Sequence, residues 1–532
     1  MISNVVLGVS LVILLCVISE KFSYRVKVPA LIFFMFVGML FGSDGIFQIE
    51  YSDFASAEMI CSIGLIFIMF DGGFNTNWTA ARPYAVKAVS LSSLGVVLTG
   101  AITTVCCHFL LKLSLQESFL LSAVLASTDA ASVFSILKAN NLDLKDGTSS
   151  ILEVESGSND PMAYLMTVTA IGIMSSGKTG NIVLAIIVQI AVGLLMGFLF
   201  AYASKYILSL KNALTDGLDV IFVLAIVMLC YSLTDKLGGN AYLSVYILGL
   251  YLGNSRMNSK KAILSFSNEL TSLLQILIFF VIGLLSFPKS MPASIPFSLA
   301  VVAILTFISR PLMTLLLLIP QKCSLRQCLL ISWAGLRGAS SIVFAIVAVS
   351  SGITLSFDIF HVVFLVSLFS ISIQGALLAP ISRKLKMVEK EANVFKTFND
   401  YEESIDFQFA RIRVLPESNW AGKRIKDIDF PTGSQALMIK RNGSTFAARG
   451  HSVVEVGDDL ILNAPPYYPS DKENVQEIHI RKNHKWANRT VEDLHIPANQ
   501  LIIMVIRDNE KIIPGGDTLI REGDVLLLFR GE

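Results

Sequence analysis

Over most of the chain, apolar residues come in long runs separated by short polar stretches; beyond about residue 390 the runs are short and charge is dense. A helix that spans a bilayer needs about 20 mostly apolar residues. On that criterion roughly thirteen spans are predicted, at 3–20, 28–43, 55–73, 85–111, 116–138, 150–174, 180–205, 217–234, 239–254, 266–287, 293–319, 326–350 and 358–382. The first run, Val5 to Ile18, has no basic segment before it and no small-residue cleavage site after it. It reads as a first transmembrane helix rather than a signal peptide. The change in pattern divides the chain into a transmembrane domain at 1–387, a linker at 388–402 and two small units at 403–466 and 467–532.

Composition agrees with that division. The 532 residues are 53% hydrophobic and 16% charged, against about 25% charged in a typical soluble domain. A net charge of +1 without a basic run gives no sign of a nucleic-acid partner. All seven cysteines lie in or beside the apolar part, and no histidine pair has metal-ligand spacing, so neither a disulfide framework nor a cofactor is expected. Basic residues mark sidedness. Lys21, Arg25, Lys138, Lys205, Lys260, Lys261 and Arg383 fall in one set of alternate loops, while the other set holds only Lys112, Lys178, Lys236 and Lys289. The positive-inside rule then puts the N-terminus outside and the C-terminal domain in the cytoplasm of a cell-membrane protein.

Several ionisable residues interrupt the apolar runs: Asp71, Asp129, Glu153, Glu155, Asp160, Arg310 and Arg337. A charge at mid-helix in a bilayer costs at least about 2.5–3.5 kcal/mol and usually marks a pathway. Asp160 lies about ten residues into its span, roughly 15 Å deep and so near the midplane. Asp129 lies halfway along the preceding, oppositely directed span. A plainer reading puts these acids in loops, but the apolar flanks are too long for that. Ser127-Thr128-Asp129 and Ser156-Gly157-Ser158-Asn159-Asp160-Pro161 are poor helix interiors, so both stretches are expected to break their helices. Broken backbone is tolerated in a membrane where it lines a cavity, and its oxygens suit a dehydrated Na⁺ or K⁺. A bare buried carboxylate is costly, which suits Asp160 to hold either a proton or a cation. Competition between the two would give exchange. Arg337 is expected to pair with Glu155, with recognition of an anionic substrate as the alternative.

STDAASVFSIL, ESGSNDPMA and WAGLRGA, together with FDGG, resemble the monovalent cation–proton antiporters, in the NhaP-like branch related to Na⁺/H⁺ exchangers. The resemblance covers nearly all of 1–385. It implies an α-helical polytopic fold of thirteen helices in two inverted repeats with two broken crossing helices, a homodimer, and alternating access. It also implies that Asp160 is the ion- and proton-binding aspartate, with Asn159 before it as in the electroneutral branch. Thr128 and Ser156 match positions whose oxygens help coordinate the ion, and Asp71 an acidic position near the cytoplasmic funnel. Glu155 and Arg337 match a structural ion pair, and Asp129 the acid of the unwound helix. Many relatives read Thr-Asp-Pro where this chain reads Thr128-Asp129-Ala130, so the shape of that break departs from the pattern.

From about 403 onward the chain repeats with a period of 66: Trp420, Asp427, Pro431, Met438, Arg441, Gly450, Gly457 and Asp458 recur as Trp486, Asp493, Pro497, Met504, Arg507, Gly516, Gly523 and Asp524. Short β-rich runs and Gly-Asp turns predict a small α+β tandem module whose copies share a core. The copies resemble the TrkA-C domain of regulators of potassium conductance. That implies a cytoplasmic ligand such as cyclic di-AMP, with Arg507, Asn509, Ile512 and Pro514 as candidate contacts; a purely structural role stands beside it. The reading is therefore a K⁺ and/or Na⁺ antiporter against protons and not an enzyme. A ligand-gated cation channel is the alternative, disfavoured by the absence of a TVGYG-like filter. An intramembrane aspartyl protease lacks its GxGD motif.

Overall fold

Each predicted span is occupied by helix, and the helix ends are set by local chemistry. The computed structural model describes residues 2–26, 29–140, 142–176, 182–210, 217–255, 257, 259–389, 408–430, 434–441, 444–464, 474–481, 484–494, 496, 500–507, 510–512 and 514–530. Two units emerge, Met1–Asn393 and Val394–Glu532. The first contains α1 (Ile2–Val26), α2 (Ala30–Phe41), α3 (Phe54–Asn75), α4 (Arg82–Leu110), α5 (Leu115–Val124), α6 (Ala130–Ala139) and α7 (Thr148–Ser176). It continues with α8 (Ile182–Ser209), α9 (Leu218–Lys236), α10 (Ala241–Gly253), α11 (Lys260–Leu284), α12 (Met291–Leu318), α13 (Leu325–Trp333), α14 (Ala339–Ser350) and α15 (Ile359–Lys384). Among the described residues, seven helices are long and apolar enough to cross a membrane, while α2, α10 and α14 are shorter apolar helices.

N-terminal amides that lack an intrahelical partner are met by side chains. Asp53 caps α3, Ser114 caps α5 in a capping box with Glu117, Ser324 caps α13 and Asp358 caps α15. Where helices must touch, side chains are missing. A Cβ on Gly249 of α10 would lie 2.2 Å from the carbonyl oxygen of Phe70 in α3, a close approach that only glycine permits. Three long helices each contain a π turn, at Leu91–Gly95 in α4, Leu305–Ser309 in α12 and Ser370–Gln374 in α15. The last is put to use. Ser370 Oγ accepts from the Arg337 amide at 3.1 Å, and the Gln374 carbonyl accepts from Trp333 Nε1 at 3.0 Å.

The helix breaks fall at 125–129, between α5 and α6, and at 334–338, between α13 and α14. A break was also expected in Ser156–Pro161, and there the structure differs: α7 runs unbroken through Pro161. Proline removes one amide donor and leaves the carbonyl ladder short of a partner. The helix is held from outside instead: Asn240 caps α10 through its Oδ1 and donates Nδ2 to the Pro161 carbonyl at 2.7 Å, tying α7 to α10 beside the proline.

The second unit consists of two antiparallel four-stranded sheets. One holds β1 (Gln408–Arg413), β2 (Gln435–Arg441), β3 (Ser444–Ala447) and β4 (Asp459–Ala464) in the order β1-β4-β2-β3. The other holds β5 (Asn474–His479), β6 (Gln500–Arg507), β7 (Glu510–Ile512) and β8 (Val525–Arg530) in the order β5-β8-β6-β7. The 66-residue period extends to geometry. Bulges fall at Ala436/Met438 and Ile502/Met504, and Gly457 and Gly523 hold φ of 91° and 90°. Two expectations are corrected. Among the described residues the helical content is one 3-10 turn, Ile425–Asp427, so the module is β rather than α+β. Nor do the copies share a core: Val414, Ile439, Val454 and Leu460 cluster in the first, and Ile480, Val505, Ile520 and Leu526 in the second. Trp420 and Trp486 each pack on the core of their own copy.

Candidate functional site

The two breaks cross. The Asp129 amide donates to the Leu336 carbonyl at 2.8 Å, and a Cβ on Gly338 would lie 2.4 Å from Asp129 Oδ2, so glycine is what lets the strands of backbone approach. The break between α5 and α6 exposes amides on one side and carbonyls on the other, and a charge of the opposite sign meets each. Asp129 sits at the N-cap of α6 and accepts from the Ser132 amide at 3.3 Å and the Ser132 hydroxyl at 2.5 Å. Arg337, 2% exposed, donates Nη1 to the carbonyls of Ala126 and Ser127 at 3.0 and 2.5 Å, at the C-terminal end of α5. This is the arrangement the helix dipole favours.

Against this crossing packs the Ser156–Asp160 stretch of α7. Asp160 is 6% exposed; Ser127 Oγ donates to its Oδ1, and Ser127 Oγ and Ser340 Oγ lie 2.8 Å apart. Ser156 Oγ donates to the Thr128 carbonyl at 2.6 Å, and Asn159 Nδ2 to Thr128 Oγ1 at 2.5 Å. Asn159 Oδ1 is buried with no hydrogen-bond partner among the described residues. A carboxylate, four hydroxyls, an amide oxygen and a backbone carbonyl thus converge. That is a donor set of hard oxygens with one negative charge, suited to a monovalent cation, and the same carboxylate can take a proton instead.

Of the residues singled out in the sequence, Thr128, Ser156, Asn159 and Asp160 come together, with Asp129 and Arg337 directly behind them. Asp71 lies elsewhere, between α3 and α11, where Ser267 donates to its Oδ1 at 2.8 Å. The pairing of Glu155 with Arg337 is not what forms. Glu155 binds Arg310 of α12, Nη1 to Oε1 at 2.7 Å, and both side chains are buried. Arg337 is occupied by carbonyls that the α5 break leaves open. Ser127, Ser340 and the role of Arg310 were missed. One signal could have found the second broken segment, on which Ser340 lies: the two segments align at an offset of 210, with Ser114, Leu115, Ser122, Val133, Phe134 and Ile136 recurring as Ser324, Leu325, Ser332, Val343, Phe344 and Ile346.

In the second unit, Arg507 clamps Asp524 through Nε and Nη2 at 2.8 and 2.7 Å and donates to the Leu519 carbonyl at 2.6 Å. Arg441 holds Asp458 in the same way, at 2.7 Å for both bonds. A clamp present in both copies is a feature of the fold. Ile512 pairs with Val505 across β7 and β6, Pro514 follows half-buried, and Asn509 lies outside the described residues. The Arg441 hydrogen bonds hold the Asp458 carboxyl below the usual carboxylate range. Asp524 is also lowered: burial alone would raise it, and the hydrogen bonds from Arg507 and the Arg521 amide outweigh that.

Comparison with known proteins gives a consistent picture. The family model described as sodium/hydrogen exchanger, transmembrane, matches residues 10–384, and the TrkA-C domain model matches 409–466 and 475–529. The chain is 31% identical to the K(+)/H(+) antiporter NhaP of Alkalimonas amylolytica, over 86% of this chain and 80% of that protein. It is 33% identical to the K(+)/H(+) antiporter NhaP2 of Shewanella baltica, over 84% and 78%. The solved structure of the sodium proton antiporter MjNhaP1 from Methanocaldococcus jannaschii superposes with a TM-score of 0.64 at 23% identity, covering 72% of this chain and 99% of that one. At that identity the superposition speaks for the fold.

Proposed function

Since the chain belongs to the sodium/hydrogen exchanger family, we propose that it exchanges cytoplasmic K⁺, Na⁺ or both for external protons, with cation and proton competing at Asp160. The observation that carries this reading is the buried Asp160 carboxylate facing Ser127 and Ser340 at the crossing of two broken helices. Only a neutralised site crosses the membrane at low cost, because an unpaired carboxylate in a dry interior is strongly disfavoured. A proton neutralises it, and so does an alkali ion held by the surrounding oxygens. Each arrival displaces the other occupant, so the stoichiometry is one for one and the exchange electroneutral. In this reading an odd number of crossings, thirteen as in the family pattern, together with the bias of basic residues, leaves the N-terminus outside and the tandem β repeats in the cytoplasm. A homodimer working by alternating access fits the family, and relatives named as K⁺/H⁺ antiporters favour K⁺. The repeats supply cytoplasmic control, with a nucleotide such as cyclic di-AMP as the ligand class.

The test uses the purified protein in vesicles containing a pH-sensitive dye, titrated with K⁺, Na⁺ and Li⁺ in turn, with and without cyclic di-AMP. Cation-dependent proton movement is expected, insensitive to an imposed membrane potential, and Asp160→Asn should reduce it to the protein-free background. Cation current without a pH gradient would instead identify a channel. Full exchange by a folded Asp160→Asn protein would remove the site.

A further inference from the structure

The α7 face that carries Asp160 also carries Glu153 and Tyr164. At about 100° per residue, spacings of seven and four residues place the three within about 40° of one another, with Tyr164 about 6 Å along the axis from Asp160 on the side away from Glu153. The 900 Å³ cavity of the membrane unit touches α7 at Val154, Ser158, Pro161 and Met162. That is the opposite face, so a path to Asp160 does not use it.

Beyond Asp160 the way is closed by rings. Tyr164 meets Tyr242 of α10 edge to face at 4.8 Å between centroids, and Tyr242 meets Tyr231 of α9 at 5.2 Å. Phe344 of α14 lies 5.7 Å from Tyr164 on the other side. Tyr242 is fully buried, and its hydroxyl lies beside those of Ser62 and Tyr231. Outside this cluster stand two carboxylates, the exposed Asp235 at the end of α9 and the half-buried Glu58 in the second turn of α3. Both carboxylates are close enough to act electrostatically on Tyr164 and on Tyr231.

We propose that Tyr164, Tyr231 and Tyr242 form the outer gate of the cation path, and that Asp235 and Glu58 form its cation-collecting mouth. The inference rests on the antiport reading and adds the residues of one access route. Tyr164 belongs to the helices that build the Asp160 site, whereas Tyr231 and Tyr242 sit on helices that supply no oxygen to it, α10 meeting α7 through the Asn240–Pro161 hydrogen bond. A shift between the two groups parts the rings. The apolar ring faces exclude water while closed, and the hydroxyls offer oxygen to a partly dehydrated ion once open. Fixed negative charge at the mouth raises the local cation concentration, an effect that salt screens.

The experiment reconstitutes the full-length protein in vesicles with one orientation and measures the KM for K⁺ separately from each side. Asp235→Asn, an exposed position that leaves the interior intact, should raise the outer-side KM two- to fivefold at low ionic strength and have no effect at high salt. The inner-side KM and the maximal rate should stay unchanged. Tyr164→Ala should admit protons without a cation, and Tyr164→Phe, which keeps the ring, should remain coupled. An Asp235→Asn effect equal on both sides, or none, would overturn the gate while leaving antiport standing. A folded Tyr164→Ala protein that stays tight would do the same. No exchange by the unmodified protein from either side would remove the antiport reading and the gate with it.

Discussion

Ser340 separates binding from folding. Its hydroxyl lies 2.8 Å from Ser127 Oγ, which itself donates to Asp160, so truncation to alanine removes one oxygen from the site and almost no volume. One such hydrogen bond contributes about 1 kcal/mol, equivalent to about a fivefold weaker cation affinity. Ser340→Ala should therefore raise the KM for the cation about fivefold and leave the maximal rate nearly intact in the dye assay; an unchanged KM would exclude Ser340 from the donor set. Arg310 belongs to the opposite class. Replacing it with methionine leaves Glu155 charged, buried and alone, a change that costs about 3–5 kcal/mol in comparable pairs. Thermal unfolding in detergent should show the loss, and adding Glu155→Gln should recover part of it, because the unpaired charge then disappears. If Arg310→Met unfolds at the parental temperature, the pair is not structural.

At the scale of elements, the crossing of the two breaks depends on backbone proximity that one methyl group would prevent. A Cβ at Gly338 would sit 2.4 Å from Asp129 Oδ2 and 2.5 Å from Asp129 Cβ, and neither can retreat while Asp129 caps α6. Gly338→Ala should push the crossing apart, lowering the transport rate at least tenfold while circular dichroism still reports full helix content. A fully active alanine variant would mean that the crossing is loose. Much of this level was legible in the chain. The apolar runs gave the spans because a bilayer leaves the backbone few alternatives, whereas the break at 334–338 lies inside a span expected to be continuous. The break expected at Ser156–Pro161 failed because propensity is local, while Asn240 and Pro161 meet across 79 residues. The partner of Glu155 was out of reach for a related reason. Arg310 and Arg337 both lie in apolar surroundings, and only the three-dimensional course of α12 past α7 decides between them. Ser340 was hidden by looking for acids rather than for a second copy of the broken segment.

For the molecule as a whole, the separate cores of the β repeats among the described residues make their stabilities separable. Asp524 is held by two hydrogen bonds from Arg507, and Asp524→Asn weakens a charge-assisted clamp of a kind that contributes about 1.5–3 kcal/mol. In the intact protein, amide hydrogen exchange in β6 and β8 should accelerate roughly ten- to a hundredfold. That in β2 and β4, built around Ile439 and Leu460, should not change. The pH dependence follows from the same clamp. Because the folded state lowers the Asp524 pKa, the clamp's contribution is complete above the unfolded value of about 3.9 and disappears as pH falls through the folded value. The gap in protection between parent and Asp524→Asn should thus be constant from pH 5 to 8 and close only in stronger acid. A gap that varied between pH 5 and 8 would mean that another titrating group works through Asp524. A constant gap leaves any transport switch in that range to groups other than the two clamps.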